Sequence, residues 1–177
     1  DPAAADTHTA VINWGDGNTQ TVSPATSPFS RSHTYAAAGI YTATVTVTDD
    51  DGGVGTTTAT VTVNFNTSGF LQPINADGTS VFKYNSTIPV KISFTNCDGS
   101  VPSNLAPTIK LTLMSGSTPV FDINEPLSTS AADTNGVMRF SSNQYIYNLA
   151  TKPLRDPSAT YMITITIPFN GQTVTVI

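Results

Sequence analysis

The side chains able to do chemistry in this chain are few: two histidines, His8 and His33, one cysteine, Cys97, one glutamate, Glu125, and aspartates gathered mainly at turns. A nucleophile and base arrangement needs a histidine held by an acid beside a serine or cysteine. His33 lies in the run His33-Thr34-Tyr35, where packing and hydrogen bonding are its expected work, and His8 is expected in an exposed loop. Glycoside hydrolysis needs two carboxyl groups held about 5 to 9 Å apart in a cleft. Glu125 stands alone beside a proline and offers no such pair. A single Cys97 excludes an internal disulfide and any thiolate metal cluster. The chain is therefore read as non-enzymatic.

Calcium is the one cofactor these residues allow, because Ca²⁺ takes hard oxygen ligands from loops. Asp49, Asp50 and Asp51 in one turn, with Asp16, Asp1 and Asp6 in the same half of the chain, could supply them without any EF-hand spacing. The competing reading is that Asp16 and Asp49 bond neighbouring backbone amides, as short acids in turns do. Three further sites are candidates. Lys91, between Val90 and Ile92, could point inward and form an isopeptide bond with Asn148 on a facing strand, or project outward and snorkel. Asn66 and Asn85 each begin an N-x-S/T triplet and are glycosylation candidates. Tyr145 and Tyr147 share one face of a strand and form the best pair of aromatics for a ligand surface.

The elements that carry these residues are strands. Only 11% of the 177 residues are charged, against 38% hydrophobic, and threonine alternates with valine, isoleucine or alanine. That is the composition of half-buried antiparallel sheet and excludes a coiled coil or a charge-dominated disordered tail. The formal charge of -5 leaves no basic footprint for nucleic acid or for an anionic membrane surface. No apolar run reaches the roughly 20 residues of a membrane span.

From Gly39 to Thr48 the pattern places Tyr41, Ala43, Val45 and Val47 on one face and Thr42, Thr44, Thr46 and Thr48 on the other. Asp49-Asp50-Asp51-Gly52-Gly53 turns the chain, and Thr58 to Phe65 repeats the alternation with Phe65 inward, which predicts a hairpin. Asn66-Thr67-Ser68-Gly69 reads as a polar break, giving domains 1–66 and 67–177. The second half predicts seven short strands separated by Asn/Asp/Gly/Ser turns, as in an all-β sandwich.

Trp14-Gly15-Asp16-Gly17, then His33-Thr34-Tyr35, then the Gly39–Thr48 strand closed by Asp49 and Gly52-Gly53, resemble the PKD (polycystic kidney disease) domain family over residues 1–65. The resemblance implies an immunoglobulin-like sandwich with Trp14, Tyr41, Val45 and Val47 in its core. It also implies two strands ahead of the tryptophan strand, which this sequence lacks, so an open groove is expected and something should fill it. Gly69-Phe70-Leu71-Gln72-Pro73 and Pro89-Val90-Lys91-Ile92-Ser93-Phe94 resemble a PxKF-type β module of secreted surface proteins, covering residues 69–177.

The fold expectation is all-β, with two tandem immunoglobulin-like β-sandwich domains, the first lacking its N-terminal strands. The functional expectation is an extracellular or cell-surface structural or adhesive module, self-associating as a homopolymer through strand contacts or packing on neighbouring domains of its own precursor. The alternative is an accessory carbohydrate- or protein-binding region of a secreted hydrolase.

Overall fold

Threonine alternating with valine, alanine or tyrosine builds the long strands of the first unit, larger apolar residues at alternate positions build β-strands such as Thr87–Thr95 and Gln144–Ala150, and no helix occurs among the described residues. A computed structural model describes residues 6–123, 133, 135–154, 156 and 158–177. Asp1 and Glu125 lie outside them. The chain divides into two units, Asp1–Asn64 and Phe65–Ile177.

The first unit holds one antiparallel sheet in the order β2-β1-β3-β4, from β1 (His8–Asn13), β2 (Thr19–Val22), β3 (Gly39–Asp49) and β4 (Val54–Val63). β3 and β4 pair without a register shift from Gly39↔Val63 to Thr48↔Val54. Ala10, Ile12, Val22 and Ala43 are buried on the inner face. Trp14, Tyr41, Val45 and Val47 share that face and are half-buried, with a single sheet among the described residues of this unit. The opposite face carries Thr9, Thr19, Thr21, the even-numbered threonines of β3, and Thr56, Thr58, Thr60 and Thr62 of β4, brought into register by the pairing.

The second unit is a sandwich of two four-stranded sheets. One runs β5-β6-β10-β9, from β5 (Asn66–Leu71), β6 (Thr87–Thr95), β9 (Arg139–Ser141) and β10 (Gln144–Ala150). The other runs β12-β11-β7-β8, from β7 (Thr108–Ser115), β8 (Thr118–Ile123), β11 (Thr160–Thr166) and β12 (Thr173–Val176). Ile88, Val90, Ile92 and Phe94 of β6 and Tyr145, Tyr147 and Leu149 of β10 face Ile109, Leu111 and Ile165 of the second sheet. Each fully buried aliphatic or aromatic side chain contributes about 1.5 to 3 kcal/mol.

Three expectations are corrected here. Phe65 does not end the β4 hairpin; it is buried in the second unit, 6.2 Å from Phe94 and 5.5 Å from Phe169 between ring centres. The polar run Asn66–Gly69 is not a break but the start of β5, whose irregularity between Thr67 and Phe70 absorbs Ser68 and Gly69. Tyr145 and Tyr147 are each 1% exposed, so they are core and not a ligand surface. The period-two stripe that they share with Leu149 points between the sheets.

Candidate functional site

In the first unit the Trp14-Gly15-Asp16-Gly17 turn and the His33-Thr34-Tyr35 segment meet in a ladder of rings. Trp14 stacks on His33 at 4.9 Å, His33 meets Tyr35 edge-on at 4.7 Å, and Tyr35 stacks on Tyr41 at 4.3 Å. Tyr35 donates to the Trp14 carbonyl at 3.0 Å, and Tyr41 donates to the Ala37 carbonyl at 2.8 Å. Gly15 is required at its place: its φ is +83°, and a Cβ there would stand 2.6 Å from the Thr42 carbonyl oxygen.

Asp16 is thereby placed 2.7 Å from His33 Nε2, with both side chains mostly buried. Burial pushes the Asp16 carboxyl up, but the hydrogen bond to His33 and those from the Asn18 backbone and side chain outweigh it and hold the group at about 2. The pair is an acid and a histidine without a nucleophile. It clamps the connection between β2 and β3 onto the sheet, and both Asp16 oxygens already accept hydrogen bonds there.

The structure brings Asp49 together with Asp6 and His8, not with Asp16. The β1–β3 register sets His8 opposite Asp49, and ligand atoms of Asp6, His8 and Asp49 all lie within 4.8 Å of one another. Asp49 Oδ1 is buried and accepts no hydrogen bond, with His8 Nε2 3.6 Å away. The Asp6 carboxyl is raised by its hydrogen bond to the Asp49 side chain, by burial and by Asp49's charge. Asp50 instead accepts the Thr7 amide at 3.3 Å, which lowers it, and Asp51 is exposed in the turn. Two carboxylates and one imidazole suit a borderline divalent ion such as zinc better than calcium, which prefers six to eight oxygens. His8 is not in a loop; it opens β1, which is what makes it part of this cluster.

A concavity of the second unit, with a volume of about 510 Å³, is lined by residues of both its sheets. Ile88 and Leu149 of one sheet and Leu111, Ile163 and Val176 of the other form its floor. Phe82, Tyr84 and Tyr161 stand at its aromatic part, Tyr84 being 48% exposed. Tyr84 donates to the Lys152 carbonyl, and Tyr161 donates to the Asp156 carbonyl while accepting the Asp156 amide. Both phenols are thus pinned by their oxygens, leaving ring surface for contact. Thr and Ser hydroxyls and further aliphatic side chains join the lining, and no Asp, Glu, Lys, Arg or His is among its described residues.

Lys91 and Asn148 sit in paired strands, Lys91 opposite Ile146 and Asn148 opposite Pro89. Lys91 does not point inward: Val90 and Ile92 take the core positions and both candidates lie half-buried on the outer face. No hydrogen bond or ion pair joins them among the described residues. Asp133, which the sequence marks only as part of a turn, is buried there, paired with Arg139 and accepting the Asn148 amide at 2.9 Å. Asn66 and Asn85 are both exposed, as is Cys97.

Residues 1–64 match the family model described as PKD domain. No curated protein matches the chain. Among solved structures, the Bacteroides ovatus mixed-linkage glucan utilization locus SGBP-B in complex with a mixed-linkage heptasaccharide aligns at 15% identity and a TM-score of 0.24. The alignment covers 99% of this chain and 36% of that one. A likeness at that score leaves the reading of this chain to its own residues.

Proposed function

We propose, from the match of residues 1–64 to the PKD domain model, that this chain is a non-catalytic structural or adhesive module of an extracellular or cell-surface protein. In this reading it is a subunit of a microbial surface layer or filament, assembled by β-strand contacts between subunits. The observation that carries the reading is the groove of the second unit, whose described lining is aromatic, aliphatic and hydroxyl-bearing, a surface suited to contact. Several aspartates elsewhere are engaged in turns and an ion pair: Asp77 with Thr79, Asp98 with Ser100, Asp156 with Ser158, Asp122 with Lys110.

Negative-stain electron microscopy with size-exclusion chromatography of the full chain tests it. Regular fibres with a repeat near one or two sandwich lengths are expected. A monodisperse particle of 18.5 kDa at every concentration overturns the filament.

A second reading, an accessory carbohydrate- or protein-binding region of a secreted hydrolase, is favoured by the half-exposed ring of Tyr84 at the groove. Retention on insoluble glycans that is lost in Tyr84→Ala supports it.

A further inference from the structure

Each sheet has two edge strands, and five of the edges are blunted. β2 and β12 have four residues each and β9 three. β5 is interrupted between Thr67 and Phe70. β8 contains Pro119 and Asp122 and pairs through an irregularity at Leu113/Met114. Short length, proline, charge and bulges are the devices by which proteins keep sheet edges from pairing with other chains.

β4 has none of them. It is ten residues long, Val-Gly-Thr-Thr-Thr-Ala-Thr-Val-Thr-Val, with no charge and no proline. It is paired without a break to β3, no described strand pairs with its other side, and only Val61 and Val63 are even half-buried. The inner face beside it, with Tyr41, Val45, Val47 and Val61, is left partly uncovered.

We propose that β4 is an association edge whose partner is β4 of a second copy of this chain, paired antiparallel about a two-fold axis so that the two four-stranded sheets become one of eight strands. Charge selects both partner and direction. β4 itself carries nothing that repels its own copy, whereas the turn that feeds it carries Asp49, Asp50 and Asp51. A parallel partner would set six carboxylates side by side. An antiparallel partner sets the two acidic turns at opposite ends of a strand roughly 33 Å long, beyond the roughly 8 Å over which charge is felt at physiological salt. Threonines and alanine then meet their like across the axis, continuing the polar and apolar faces of the sheet.

The inference rests on the strand-contact part of the reading above and gives it a partner and a geometry. It is tested on the full chain by light scattering coupled to size-exclusion chromatography and by a cysteine scan in a Cys97→Ser background. Expected is a species of twice the 18.5 kDa chain mass, with the dimer weakened about tenfold or more in Thr58→Lys/Thr60→Lys, where like charges face each other.

Val54→Cys, Thr56→Cys, Thr58→Cys, Thr60→Cys and Thr62→Cys, all on one exposed face, are expected to form an intermolecular disulfide at one position, or at two neighbouring ones, and not at both ends. Equal cross-linking at all five positions means a parallel pairing and overturns the two-fold geometry. A dimer indifferent to the lysines overturns β4 as its interface. Fibres built from chains whose β4 cysteines never cross-link overturn this inference and leave the filament reading standing; a β4 dimer without fibres does the reverse.

Discussion

Gln172 satisfies both backbone groups of Phe65: its Oε1 accepts the Phe65 amide at 2.9 Å and its Nε2 donates to the Phe65 carbonyl at 2.9 Å. One carboxamide thus acts as a short length of strand across 107 residues of sequence, fastening the first residue of the second unit at the mouth of β12. Gln172→Ala leaves two partly buried backbone groups unpaired and is expected to lower the stability of this unit by about 1 to 3 kcal/mol, read as a lower urea midpoint at unchanged slope. Gln172→Glu keeps the length and an acceptor but loses the donor, so it is expected to destabilise as well.

The Asp16–His33 pair gives the first unit an acid-sensitive element. The Asp16 carboxyl, held at about 2 in the folded chain, takes up its proton more readily once unfolded. Its contribution is therefore fully present above the ordinary carboxylate range and is lost as pH falls from about 4 through 2. Asp16→Asn is expected to flatten the acid limb of the stability profile of this unit within that window. An unchanged acid limb would show that the pair does not bear on stability.

Gly15 and Gly17 both have positive φ, but only Gly15 has the Thr42 carbonyl where a side chain would go. Gly17→Ala carries the conformational penalty alone, about 1 to 2 kcal/mol. Gly15→Ala adds a collision with backbone, so the loss of melting temperature is expected to be clearly larger at position 15.

At the Asp6–His8–Asp49 cluster the imidazole makes the prediction. Zinc is expected to raise the melting temperature of the full chain, and the rise is expected to vanish in His8→Ala and in Asp49→Asn. If calcium stabilises instead and His8→Ala is without effect, the carboxylates alone hold the ion.

Tyr145→Phe removes the hydroxyl that donates to the Pro102 carbonyl at 2.8 Å and accepts the Leu105 amide at 3.1 Å. A loss of about 1 to 3 kcal/mol is expected in urea unfolding.

Much of this architecture could be read directly from residue types. The β3 strand announces itself because Tyr41, Ala43, Val45 and Val47 alternate with threonines, and period two has only one structural meaning over such a length. Thr87 to Phe94 was likewise legible as a strand, but the sequence alone left Lys91 between inward and outward, and the burial of Ile88, Val90, Ile92 and Phe94 puts it on the outer face. The family resemblance implied a packed Trp14 and Tyr41, while the ring ladder that joins them through His33 and Tyr35 emerges only in the structure.

What could not be read depends on pairing between distant strands. His8 becomes a neighbour of Asp49 only through the β1–β3 register, and the groove is assembled from five strands and two connections. Tyr145 and Tyr147 illustrate the limit of periodicity. A stripe of aromatics on one face fits a wetted surface as well as a core, until the loop carrying Pro102 and Leu105 supplies the partners of the Tyr145 hydroxyl.

The threonine face of the first unit is wetted by hydroxyl groups, with no ionic side chain in its ranks from Thr42 to Thr48 or from Thr56 to Thr62. Dissolved ions weaken attraction and repulsion between charges, and here they find nothing to weaken. Screening by salt is therefore expected to alter contacts made through this face less than contacts made through the acidic turn Asp49-Asp50-Asp51.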